Sequence, residues 1–102
     1  MRYLVRVEPS WEAANKLDSG PEGPGPLFGY IAQRFRPEAH YCETGKRAAW
    51  WVIDFASAEA VTEFTHLCVA KAGCQPELTA VMTGDEAARA IPAAMLAARR
   101  AP

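Results

Sequence analysis

Between Tyr3 and Glu8 the chain alternates, with Tyr3, Val5 and Val7 on one side and Leu4, Arg6 and Glu8 on the other. That is the period of a half-buried strand. Pro9 stops it, and Ser10 is placed to cap a short helix from Trp11 to about Leu17. Asp18 to Pro26 reads DSGPEGPGP, three glycines and three prolines in nine residues, which predicts a surface loop. After it, Leu27, Phe28, Ile31 and Phe35 fall on one helical face, with Pro26 in the first turn and Pro37 as the stop.

Ala39 to Glu43 and Ala48 to Phe55 read as two strands joined at Thr44-Gly45-Lys46-Arg47. In the second strand Trp51, Ile53 and Phe55 share one face, and Trp50, Val52 and Asp54 the other. Ser57 caps a helix whose buried stripe is Val61, Phe64, Thr65, Cys68 and Ala72, and Gly73 supplies its C-terminal cap. Glu77 to Met82 predicts a further strand. Thr83-Gly84-Asp85-Glu86 fits the capping box of a last helix, which Pro92 is expected to break after about Ala90, leaving a turn or two from Ala93 to Arg100.

The order is β-α-β-β-α-β plus a C-terminal helix, an α+β chain of the ferredoxin-like, split-βαβ kind with an antiparallel sheet. Helices cover one sheet face. The other, carrying Leu4, Trp50 and Val52, is too apolar to leave in water, so the pattern predicts a homodimer formed through the sheet. At 102 residues the chain has room for a single domain, with its core in about Met1 to Ile91 and a helical extension over residues 92–102.

Composition narrows the functional classes. Eleven basic against twelve acidic residues leave a net charge of −1, which argues against a nucleic-acid partner. No run approaches the ~18–20 apolar residues of a membrane span, and the charged start has no signal-peptide core, so the expected location is cytoplasmic. The three cysteines, Cys42, Cys68 and Cys74, are then expected as free thiols, and their spacing fits no usual zinc site.

The opening strand RYLVRVEP, the hairpin HYCETGKRAAWWVIDFAS, the helix start SAEAVTEF and the closing strand ELTAVMTGDEA together resemble the dimeric α+β-barrel superfamily. Within it the chain looks like small proteins related in shape to muconolactone isomerase. The superfamily includes isomerases, cofactor-independent monooxygenases, dehydratases, haem-dependent enzymes and ligand binders. The resemblance therefore implies a fold and a pocket beside the sheet, and no one chemistry. The Pro/Gly loop departs from the family's continuous first helix.

Candidate pocket residues follow from alternation. Arg6 and Asp54 both face away from the Val5 and Trp51 side and are expected to meet, either as an interface ion pair or as an anion-binding arginine oriented by Asp54. Trp50 is placed to stack on a flat ligand, with Tyr41 or Glu43 as a polar contact. An even-length hairpin turn sends Tyr41 to that face, and an odd one sends His40. His66 is expected in solvent.

Three functions are compatible with this set. The first is binding of a small apolar or aromatic acid through Arg6, Tyr41, Trp50 and Asp54, with no cofactor. The second is a cofactor-independent isomerase or monooxygenase-like enzyme on a small aromatic or lactone substrate, with His40 or Asp54 moving the proton. The third is an interaction module that clasps a partner through Ala93 to Arg100.

Overall fold

The computed structural model describes all 102 residues. Strand β1 (Arg2–Val7) is followed by helices α1 (Trp11–Asp18) and α2 (Gly25–Phe35). The hairpin strands β2 (Ala39–Cys42) and β3 (Ala49–Asp54) come next, then α3 (Ala58–Ala72), β4 (Glu77–Ala80) and α4 (Gly84–Arg99). The four strands form one antiparallel sheet in the order β2-β3-β1-β4. This is the α+β, roughly ferredoxin-like arrangement that the element order implied. No helix is long and apolar enough to cross a membrane.

The expected caps form where the sequence placed them. The Ser10 hydroxyl accepts from Ala13 N at 3.1 Å and the Ser57 hydroxyl from Ala60 N at 3.2 Å. Gly73 ends α3 in the left-handed region at φ +63°. A β-carbon there would sit 2.6 Å from Ser10 Oγ, because the end of α3 packs on the start of α1. Ser10 N also donates to Ala72 O at 2.9 Å, so the two helix ends are joined through backbone.

Several element ends shift by one or two residues from expectation, and two differences have a clear cause. The last strand ends at Ala80 instead of Met82 because its partner runs out: Tyr3 pairs with Ala80, Val81 N donates to Arg2 O at 3.0 Å, and only Met1 remains beyond. Pro92 does not break the final helix, which runs unbroken from Gly84 to Arg99. Pro92 removes one helical hydrogen bond, to the Ala88 carbonyl, but every residue from Ala88 onward is exposed and water can satisfy that oxygen.

The core lies between the helices and one sheet face. Val5, Val7, Trp51 and Ile53 from the sheet meet Ile31 of α2 and Phe64, Cys68 and Ala72 of α3. Phe64 is the hub of the aromatic packing, edge-on to Trp51, Phe35 and Phe55 at centroid distances of 6.1, 5.1 and 5.8 Å. α4 contributes no buried residue. The chain measures 58 × 25 × 24 Å, with a radius of gyration of 16.9 Å. A compact chain of this size has about 13 Å.

Candidate functional site

The hairpin turn is even. Tyr41 pairs with Trp50 and His40 with Trp51. Tyr41 therefore joins Trp50 and Arg6 on the helix-free face, where it is 68% exposed. His40 goes to the helix side at the sheet edge, stacked on Trp51 at 4.7 Å and met edge-on by Phe28 at 4.8 Å. Its Nδ1 lies 3.1 Å from Trp50 O, a carbonyl that can only accept. Nδ1 is therefore the donor in this contact, and Nε2 lies 3.9 Å from Cys42 Sγ. His66 is exposed, as expected.

Arg6 and Asp54 share the helix-free face but do not meet. Arg6 sits opposite Trp50, and Asp54 sits opposite Arg2, four residues further along the strand pair. Asp54 instead approaches the Met1 amine at 3.1 Å. Arg6 is saturated by carboxylates: Nε donates to Glu43 at 2.6 Å, Nη2 donates to Glu8 at 2.9 Å, and Nη1 lies 3.8 Å from Glu77. Its guanidinium also stands over the Trp50 ring at 5.7 Å, and Trp50 Nε1 donates to the same Glu43 oxygen at 2.9 Å. The hydrogen bond from Arg6 holds the Glu43 carboxyl below the usual carboxylate range and, reciprocally, raises the guanidinium above its ordinary value. Arg6, Glu43 and Trp50 form one connected unit, and Arg6 has little positive field left for an external anion.

A cavity of about 170 Å³ lies on the other side of the sheet, beneath α1, α2 and the Pro/Gly loop. Val7 and Trp51 form its floor, Ala14, Phe28 and Cys68 its walls, and Lys46, Arg47 and Asp18 its rim. Each element supplies its wall through the same periodicity that made it amphipathic. The alanines, with side chains of one carbon, leave the space open. Burial pushes the Cys68 thiol up to about 12, so it stays protonated and acts as apolar wall. Burial raises Cys74 as well.

The two rim cations are not equivalent. Arg47 donates to Asn15 at 2.9 Å and Asp18 at 3.1 Å and stands over Trp11 at 4.9 Å, tying the hairpin tip to α1. Lys46 has no carboxylate within salt-bridge distance. The cavity is thus an apolar chamber with one lysine at its edge that makes no ion pair, the Glu43 carboxylate lying beyond salt-bridge distance. Neither His40 nor Asp54 lines it, and Cys42 is the one exposed thiol that does.

Alternation along the strands could not find Lys46 or Arg47, because they lie in the turn. The readable signal was the charge match between the turn and Asp18, at the mouth of the Pro/Gly loop. No group of histidine, cysteine and carboxylate side chains is arranged to hold a metal ion. No protein-family model, curated protein or solved structure matches the chain.

Proposed function

We propose that the protein binds a small apolar acid, with its hydrocarbon or aromatic body in the helix-side cavity and its carboxylate at Lys46. The observation that carries this reading is the apolar chamber with its unpaired rim cation. Its volume of about 170 Å³ suits one aromatic ring or a short alkyl chain, since an engineered apolar cavity of roughly 150 Å³ takes up benzene. A hydrophobic wall supplies affinity without direction, and one charge at the mouth orients an amphipathic ligand. This keeps the ligand class expected from the sequence and places it opposite the face that carries Arg6, Tyr41, Trp50 and Asp54. It also accords with the resemblance to dimeric α+β-barrel proteins, whose fold hosts ligand binders as well as enzymes.

The test is a calorimetric or NMR titration with benzoate and hexanoate, each beside its alcohol, benzyl alcohol and hexanol. The acids are expected to bind more tightly than the alcohols, and Lys46→Met to abolish that preference while leaving alcohol binding unchanged. Absence of chemical-shift changes at Val7, Ala14 and Phe28 with about 10 mM of any probe, some tenfold above a millimolar Kd, would reject the reading.

A further inference from the structure

Cys42 and His40 stand two residues apart on β2 and so point to the same side of the strand. Their partners on β3 fix which side. Cys42 lies opposite Ala49 and His40 opposite Trp51, both buried beneath the helices. β2 is an edge strand of the sheet, so the pair borders the helix-side cavity at its open flank. Cys42 lines that cavity, and His40 packs on two of its walls, Trp51 and Phe28. These two rings fix the plane of the imidazole, and Trp50 O accepts from its Nδ1 at 3.1 Å. The ring is thereby turned so that Nε2 faces Cys42 Sγ at 3.9 Å. A nucleophile, a base beside it and a third group that orients the base are the parts of an activated thiol. The other two thiols lack this setting. Cys68 is buried, which pushes its thiol up to about 12, and Cys74, raised by burial as well, does not line the cavity.

We propose that Cys42 is a nucleophile, with His40 as its general base, that adds to a small α,β-unsaturated ketone seated in the cavity. The class of reactant follows from the site. The chamber is apolar and holds about 170 Å³, so the body of the reactant is a hydrocarbon of about one ring. Conjugate addition has no leaving group, so a single nucleophile and a single base complete it. It builds negative charge on the carbonyl oxygen, and Lys46, on the same hairpin and at the rim of the same cavity, makes no ion pair of its own.

The addition balances within these groups. Cys42 Sγ gives its proton to His40 Nε2 and bonds to the alkene carbon remote from the carbonyl. The π pair of the alkene shifts towards the carbonyl, whose oxygen takes the charge as an enolate facing Lys46. The imidazolium then returns the proton from Nε2 to the carbon next to the carbonyl, which leaves a neutral thioether ketone and restores His40. No oxidant or second reactant enters. This inference rests on the chamber being open to small apolar molecules, as the proposed acid binding does, but not on a preference for acids.

The test reacts the full chain with 2-cyclohexenone and, separately, with acrylamide, a polar acceptor of the same chemistry, and follows adducts by intact mass and peptide mapping. Glutathione supplies the ratio of the two rates for a free thiol. Cyclohexenone is expected to add at Cys42 alone, with a ratio over acrylamide at least about tenfold above that of glutathione. Ala14→Leu, which fills the chamber, is expected to return the ratio to that of glutathione while Cys42 still takes acrylamide at the wild-type rate. His40→Phe, which keeps a ring on Trp51, is expected to slow both additions about 100-fold near pH 7, with the deficit shrinking towards about pH 9.5, where a thiol ionises without help. A deficit that is the same at every pH, or none, overturns the role of His40. A wild-type ratio equal to that of glutathione overturns the proposal, as does selective addition that Ala14→Leu leaves untouched. A parallel NMR titration with benzyl alcohol separates the two readings: shifts at Val7, Ala14 and Phe28 without a selective adduct sink the thiol site alone, and no shifts sink both.

Discussion

Ala14→Leu puts the cavity to a direct test. Ala14 is 3% exposed on α1, and its methyl group faces the open chamber. Leucine adds three carbons there and is almost as good a helix former as alanine. Burying each carbon is worth about 0.8 kcal/mol, some 2.4 kcal/mol in all. Ordering the leucine side chain costs about 0.5–1 kcal/mol, which leaves a gain of about 1.5 kcal/mol. For a domain of about 100 residues, at roughly 4–8 °C per kcal/mol, Tm rises by about 6–12 °C. The same leucine occupies the proposed ligand's place. Wild type in benzoate at about ten times its Kd gains about 1.4 kcal/mol by mass action, and the variant gains nothing. Two sets of melts, with and without benzoate, followed by tryptophan fluorescence, supply all four numbers. Should the variant melt below wild type, by the about 1–3 kcal/mol of an overpacked core, the chamber is not open space. Should it be stabilised yet still respond to benzoate, the chamber is open but is not the binding site.

Two further perturbations probe the frame around the sites. Gly73→Ala combines a left-handed backbone with a β-carbon 2.6 Å from Ser10 Oγ; about 1–2 kcal/mol of backbone strain and up to about 1 kcal/mol of lost helix cap predict a Tm fall of at least about 4 °C, and a fall under about 3 °C would show that the α1–α3 junction yields freely. Glu43→Gln is expected to lower Tm at neutral pH. Because Arg6 holds the native Glu43 carboxyl below its usual value, that stabilisation is fully present above about pH 4.3 and is lost as pH falls through the lowered native value. The two melting curves should therefore converge towards about pH 2, and a constant gap across the range would assign the effect to shape instead of charge.

The open face carries a lesson about reading charges from a strand pattern. Arg6 and Asp54 occupy the same face by alternation, and that much holds. Which carboxylate an arginine meets is decided by register and by side chains beyond the strand ends. Glu43 comes within 2.6 Å because the hairpin turn is even and brings Cys42 opposite Ala49, with Glu43 N donating to Ala48 O at 2.9 Å. One residue more or less in that turn would exchange the faces of His40 and Tyr41 and part Arg6 from its main partner.

Local sequence determined the elements and their limits at the caps. Ser10, Ser57, Thr83 and Gly73 each act within a few residues of where they stand, and strand alternation sorts Val5, Val7, Trp51 and Ile53 to one side without reference to anything distant. Tertiary structure decided the rest, because each remaining feature needs groups from separate elements. The cavity exists because alanines on α1, β3 and α3 converge under one loop. At its rim Arg47 is tied to Asp18, while its neighbour Lys46 makes no ion pair. Pro92 is tolerated because its helix projects into solvent instead of packing against the sheet. A hydrophobic period tells which side of an element turns away from water, and only the assembled fold tells what that side meets.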